Sequence, residues 1–478
     1  MGLTAPDASG RRWAALVGAL DDGQPLAEAC VTAGFDRAAT ARLTAPGTGA
    51  WVELLEELEG ARVLVAEHSP GRVAKRVARD AAVIGVAEAD EARAAFRHSW
   101  LAEEPAVVVV DTEARLAAGC GPWDLVIVDG LVAGPGDGQT PALDARLRRL
   151  ADGLAEHGRL VVVADNRLSP LRTADRAVGR PSGPAGPSLR SIEQALHRAG
   201  MAVSQRFGLL RSSVDGVTAF DLDAPEAAAA VMAAAVVSVE HLRAVGVRVL
   251  RRSAQRRAAA QVVPAWMIVA SSSSTPRVLS PSRPTGRLGH KGSQESKLLR
   301  GEPPTELEKR YSTPEAAARE GMALRVLEGC GLDLAPRVVG QPGADRIRHT
   351  WLPGHPMRPA GLRREQLRTW VGRAAHTIGI IQRATARHDG TVLVHGDYWL
   401  GNLLVDGDEV VAVLDWTRAH WGEPTEDVRH LVDHLVEMGL ASGHEAAALR
   451  ELASAGAARS TSSSGSSERG GDHGHVSR

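Results

Sequence analysis

VLVHGDYWLGNLLVDGDEVVAVLDW, residues 392–416, is the stretch whose reading decides the second half of this chain. Two apolar runs, 403–405 and 410–414, flank Asp406-Gly407-Asp408, which reads as the turn of a hairpin. An antiparallel hairpin brings its open ends together, so Asn402 and Asp415 are expected as neighbours, with Asp397 on the loop just before them. Two carboxylates and one amide oxygen at a strand end are the hard donors that Mg²⁺ prefers, with phosphate oxygens completing the shell. Phosphoryl transfer needs that metal, a residue to orient the attacking hydroxyl, and a lysine on the phosphates. Taken singly, Asp397 also reads as a loop acid, Asp415 as a strand-end cap and Lys309 as a solvated edge lysine. Their joint spacing favours the metal reading.

HGD, four residues and Asn, then an apolar strand ending in Asp, resembles the aminoglycoside phosphotransferase and choline kinase group, relatives of the protein kinases. The resemblance implies Asp397 as catalytic base, Asn402 and Asp415 as Mg²⁺ ligands, and His395 as the brace of the catalytic loop. WGEPTEDV (421–428) looks like the segment after the metal aspartate, with Asp427 as its structural acid. Glu423 stands where that group more often has Asp.

Upstream, TELEKRYSTPEAAAREGMALRVL (305–327) looks like the third strand and first helix of the small lobe. The resemblance makes Lys309 the nucleotide-phosphate lysine and Glu320 its ion-pair partner. TGRLGHKGSQESKLLRG (285–301) is read as two strands and a glycine turn over the phosphates, with Gly289, Gly292 and Ser293 as candidates. The acceptor-binding part looks abbreviated, because only about 358–392 precedes the motif and few residues follow Asp427. His355 and His376 are weaker pocket candidates.

Residue usage sharpens these readings. Lysine occurs only at 75, 291, 297 and 309, and asparagine only at 166 and 402. A GC-rich coding sequence accounts for that bias, and where arginine is the default cation a surviving lysine or asparagine is more often one whose chemistry is not interchangeable.

The first half has another pattern. ARVLVAE (61–67), AVIGVAE (82–88), AVVVVD (106–111), WDLVIVDG (123–130) and GRLVVVADN (158–166) alternate with helical stretches. Continuous apolar strands between helices indicate a parallel sheet covered on both faces. A helix at about 188–199, a strand at 201–210, a further long helix and a strand at 265–271 follow. WDLVIVDG and HGRLVVVADNR resemble the fourth and fifth strands of class I S-adenosylmethionine-dependent methyltransferases. That resemblance implies a cofactor at the carboxyl ends of the strands. Glu67 takes the place of the acid before the glycine turn, and Glu88 or Asp90 the place of the ribose acid. The turn itself, AEHSPGRV, keeps Gly71 but has Ser69 and Val73 where glycines are usual, and Pro70 stiffens it. Asp111, Asp129 and Asn166 also end strands.

The expected fold class is thus α/β plus α+β: a Rossmann-like, methyltransferase-type parallel sheet followed by a small two-lobed protein-kinase-like domain. The expected divisions are a helical segment (1–60), the Rossmann domain (61–272), a Ser/Pro-rich linker (273–285), the kinase-like domain (286–453) and a low-complexity disordered tail (454–478).

Composition bounds the rest. The 478 residues are 44% hydrophobic and 24% charged, with a net charge of -1. No basic excess points to nucleic acid or an anionic membrane. The start lacks a signal-peptide pattern, and the most apolar run, AAAAVMAAAVVS (227–238), is shorter than the ~20 residues a bilayer needs. Three cysteines make neither a disulfide framework nor a metal site. A cytoplasmic setting is expected. The leading functional expectation is a phosphotransferase using ATP and Mg²⁺ on a small-molecule hydroxyl (sugar, aminoglycoside or amino alcohol), with S-adenosylmethionine as a second candidate cofactor. The alternatives are a methyltransferase with a kinase-like binding module, and a non-catalytic interaction protein built from two degenerate domains.

Overall fold

A computed structural model describes residues 8–459 except 23, 25, 36–49, 56–57, 68–71, 89–90, 131–139, 167–168, 170–186, 211–217, 225, 229–230, 232–262, 264, 273–283, 289–295, 358 and 360–361. The chain forms two compact units, Met1–Thr305 and Glu306–Arg478.

In the first unit, β1 (Arg62–Glu67), β2 (Val83–Ala87), β3 (Val107–Asp111), β4 (Trp123–Asp129) and β5 (Leu154–Asp165) pair in parallel in the order β3-β2-β1-β4-β5. Val63 to Val65, Leu125 to Val128 and Leu160 to Ala164 are all buried, which is why these strands read as unbroken apolar runs. Then β8 (Ala265–Ser271) runs antiparallel to β5, and β6 (Ala202–Leu210) antiparallel to β8. The strand order reverses between β1 and β4, the place where ligands bind in open α/β sheets. The long helix expected before β8 falls almost wholly outside the described residues.

The sheet continues through β7 (Thr218–Asp221), β9 (Pro284–Leu288) and β10 (Ser296–Arg300), all antiparallel. The sequence reading assigns β9 and β10 to the kinase-like half, whereas the chain places them in the first unit. Arg287 of β9 is one reason. Its guanidinium is buried against Glu53 at 2.8 Å, and burial lowers its pKa to about 10. The turn between these strands, with Gly289, Gly292 and Ser293, lies outside the described residues.

In the second unit, β11 (Glu306–Arg310) pairs with β13 (Arg346–Thr350), and β13 with β12 (Val338–Gly343), all antiparallel. A helix, Pro314–Gly329, follows β11. Pro314 opens it, and Thr313 caps it by accepting the Ala316 N–H. The helix Arg364–Thr385 buries Leu367, Val371, Ala374, Ala375, Ile378 and Ile381, a stripe at helical spacing. It packs on a core with Leu403, Val413, Trp416, Leu431 and Leu435.

Around it lie β14 (His355–Pro356), β15 (Val392–Val394), the hairpin of β16 (Leu403–Asp406) and β17 (Glu409–Val413), to which β14 adds through β16, and β18 (His420–Gly422), which pairs with β15. Helices Thr425–Glu437 and Gly443–Arg459 end the described chain. The last helix thus continues past Ser454, where the sequence suggests a disordered tail. No helix among the described residues is long and apolar enough to cross a membrane.

Candidate active site

The loop 395–402 is held from three sides. His395 is fully buried, and its backbone N–H donates to both oxygens of Asp427 at 3.1 and 3.0 Å. The Gly396 N–H donates to the same carboxylate at 3.1 Å. Burial pushes the Asp427 carboxyl pKa up, opposed by these backbone donors. The Asp397 N–H donates to His395 Nδ1 at 3.2 Å, which makes that nitrogen an acceptor. His395 Nε2 therefore carries the proton it shares with the Leu414 carbonyl, 2.9 Å away. The imidazole thus ties the loop 395–402 to the end of β17, and its ring lies 4.6 Å from that of Trp416.

The hairpin register sets the rest. Leu403 pairs with Val413, and the Leu414 N–H donates to the Asn402 carbonyl at 2.8 Å, so Asn402 and Asp415 sit at the same open end. Asn402 Nδ2 donates to the Asp397 carbonyl at 2.9 Å. From β11, the Lys309 ammonium lies 2.9 Å from Glu320 Oε2 and 2.6 Å from Asp415 Oδ1. Lys309 and Glu320 are 1% and 3% exposed, so the pair is withdrawn from water. The structure therefore brings Lys309 together with Glu320 and Asp415, and Asp397 with His395 and Asn402.

Two neighbours were not picked out from sequence. Arg418 Nη1 is 3.5 Å from Asp397 Oδ1, and Thr417 Oγ1 donates to Asp415 Oδ1 at 3.1 Å. Both lie in DWTRA, within three residues of Asp415, and that proximity was the only available signal. His355 and His376 are exposed.

The site supplies only oxygen donors to a metal: the Asp415 carboxylate, the Asn402 amide oxygen and the Asp397 carboxylate. Among the described residues no group of three or more His, Cys, Asp or Glu is arranged to hold a metal ion. Mg²⁺ does not need one, since it is commonly held by one or two carboxylates plus substrate phosphates. The donor set fits.

The first unit fits its implied cofactor less well. Glu88, the candidate ribose acid, lies 3.2 Å from Arg93 and 3.6 Å from Arg97, whose side chain is 1% exposed. In this arrangement Glu88 neutralises a buried guanidinium. Glu67 ends β1 opposite Asp129, but its side chain lies outside the described residues. Asn166 donates to the Val263 carbonyl at 2.8 Å, and the Asp111 carboxylate accepts the Thr112 N–H at 2.6 Å.

The second unit carries a phosphotransferase-family domain. Residues 382–458, which contain Asp397, Asn402, Asp415 and Asp427, match the model of APH, the phosphotransferase enzyme family. No curated protein matches the chain. Among solved structures, the chain is similar to macrolide 2'-phosphotransferase MphH from Brachybacterium faecium, at 20% identity over 35% of this chain and 73% of that one, TM-score 0.26. It is similar to aminoglycoside phosphotransferase APH(3'')-Id from Streptomyces rimosus, at 16% identity over 34% and 83%, TM-score 0.26. It is also similar to magnesium protoporphyrin IX methyltransferase from Synechocystis, at 15% identity over 47% and 80%, TM-score 0.28.

Proposed function

We propose that the second unit transfers the γ-phosphoryl group of ATP to a hydroxyl of a small molecule, of the sugar, aminoglycoside or amino alcohol class. The observation that carries this reading is the Lys309 ammonium, held between Glu320 and Asp415 at the hairpin end that also presents Asn402. In this reading Lys309 grips the nucleotide phosphates, with Glu320 keeping the ammonium aimed. Asn402 and Asp415 hold Mg²⁺, which when bound neutralises charge on the phosphate oxygens. Asp397 accepts a hydrogen bond from the acceptor hydroxyl and takes its proton as the new oxygen–phosphorus bond forms. The bond from the γ-phosphorus to the bridging oxygen breaks, and ADP leaves. Arg418, beside Asp397, adds a positive charge near the developing negative charge. The reading takes a small-molecule acceptor, with neither nucleic acid nor membrane as partner, in a cytoplasmic setting.

Asp397→Asn tests it. Nucleotide-binding stabilisation should persist, worth about 2.7 kcal/mol at a hundredfold excess over Kd. Acceptor-dependent release of ADP should vanish. Normal turnover in that variant would sink the assignment. Thermal unfolding with S-adenosylmethionine is the parallel test of the first unit, where the Glu88 ion pairs favour no stabilisation.

A further inference from the structure

We propose that Thr417 is a positioning residue that fixes the Asp415 carboxylate for the metal. The inference rests on the phosphotransfer reading above and deepens it. Among the described residues, Asp415 is the only one other than glycine with a positive φ, 69°. A side chain there crowds its own backbone, so the conformation persists only where the surroundings over-determine it.

The backbone before Asp415 is pinned at Leu414, whose N–H is bonded to Asn402 and whose carbonyl is bonded to His395. Just after it, the buried Trp416 donates its ring N–H to the Val413 carbonyl at 3.0 Å. The backbone direction is thereby settled, but the carboxylate torsion is not.

Two donors that bear on that torsion reach the same oxygen. Lys309 Nζ is 2.6 Å from Asp415 Oδ1, and Thr417 Oγ1 is 3.1 Å from it. They differ in what nucleotide does to them. Lys309 belongs to another strand and is the group the phosphates attract. Thr417 is two residues along the same segment and moves with it. With nucleotide bound, the Thr417 hydroxyl is the donor that stays on Oδ1 and holds the carboxylate plane towards the metal. Donors that orient a metal ligand in this way commonly change metal affinity by ~10–100-fold when removed.

The test uses the full chain with ADP, and Mn²⁺ as the spin probe for the metal, so that no turnover is involved. Thr417→Val and Thr417→Ala should weaken Mn²⁺ binding to the ADP-bound protein by about 10–100-fold. Binding of ADP without metal should stay near wild type, and Thr417→Ser, which keeps the hydroxyl, should restore Mn²⁺ affinity. Wild-type Mn²⁺ affinity in both the Val and Ala variants overturns the proposal. So does an equal loss in the Ser variant, which would assign the effect to the methyl group. If the wild-type ADP complex takes up no Mn²⁺, the phosphotransfer reading fails and this inference fails with it.

Discussion

The Lys309 ammonium joins Glu320, 11 residues away in sequence, to Asp415, 106 residues away, at 2.9 and 2.6 Å. The strand, helix and hairpin that build the site are thus fastened through one buried charge. Removing one partner of a buried pair leaves the other uncompensated, at a cost of roughly 3–5 kcal/mol. Lys309→Met should therefore lower stability to urea by about that much. Lys309→Met combined with Glu320→Met should recover part of the loss, because apolar replacement of both members of a buried pair is often nearly neutral, while Asp415, 28% exposed, still loses its ammonium partner. An additive double variant would mean the pair is not coupled.

Gly396 and Gly407 both have positive φ, 76° and 56°, yet their surroundings differ. A Cβ at 396 would run into the Arg418 carbonyl, whereas nothing lies near one at 407. Alanine at 407 should cost only the backbone term, about 1–2 kcal/mol. At 396 it should cost more and also weaken nucleotide-dependent stabilisation, because the loop carrying Asp397 has to move off Arg418. Equal costs in chemical unfolding would argue against this close approach.

Asp427 is fully buried and accepts N–H donors from His395 and Gly396. Asp427→Asn keeps one accepting oxygen but turns an amide towards donors, which should cost about 1–3 kcal/mol. Asp427→Ala should cost more and leave the loop unbraced. The check is urea unfolding of both variants beside Lys309→Met, with nucleotide binding read in parallel.

What was legible in the sequence is what local spacing determines. The turn at Asp406-Gly407-Asp408 sets the hairpin register, and the register alone puts Asn402 beside Asp415. The apolar runs of β1 to β5 gave the parallel sheet because both faces are buried. The helix 314–329 was legible within TELEKRYSTPEAAAREGMALRVL, and Thr313 and Pro314 are its local start signals. Edge pairings were not, because β9 and β10 alternate weakly and any free strand edge can accept them. The β12–β13 hairpin was missed for a like reason, since VVGQPG carries few apolar residues to set a pattern. Ion-pair commitments were hidden too. Whether Glu88 faces a ligand or Arg97 depends on how the helix Glu91–Leu101 is rotated, and one chain read alone does not give that rotation.

His420 gives the site a pH-dependent edge. Its Nδ1 lies 3.0 Å from the Arg418 carbonyl and its Nε2 3.2 Å from Glu426 Oε2, so both ring nitrogens face acceptors. The Arg418 carbonyl is the main cause of its raised pKa, with the Glu426 carboxylate and the more distant Asp427 charge adding to it and partial burial opposing. Glu426 is itself lowered, chiefly by the Glu423 N–H. A folded pKa above the unfolded value of about 6.5 means the stabilisation is complete below that pH. It is lost as pH rises through the folded value. The side chain is 48% exposed, so screening keeps the contribution below roughly 1 kcal/mol. His420→Gln, neutral at every pH, should melt below wild type at about pH 6 and converge towards it at about pH 9. A gap that stays constant across that range would show that the ring stabilises the segment through packing and not through its charge.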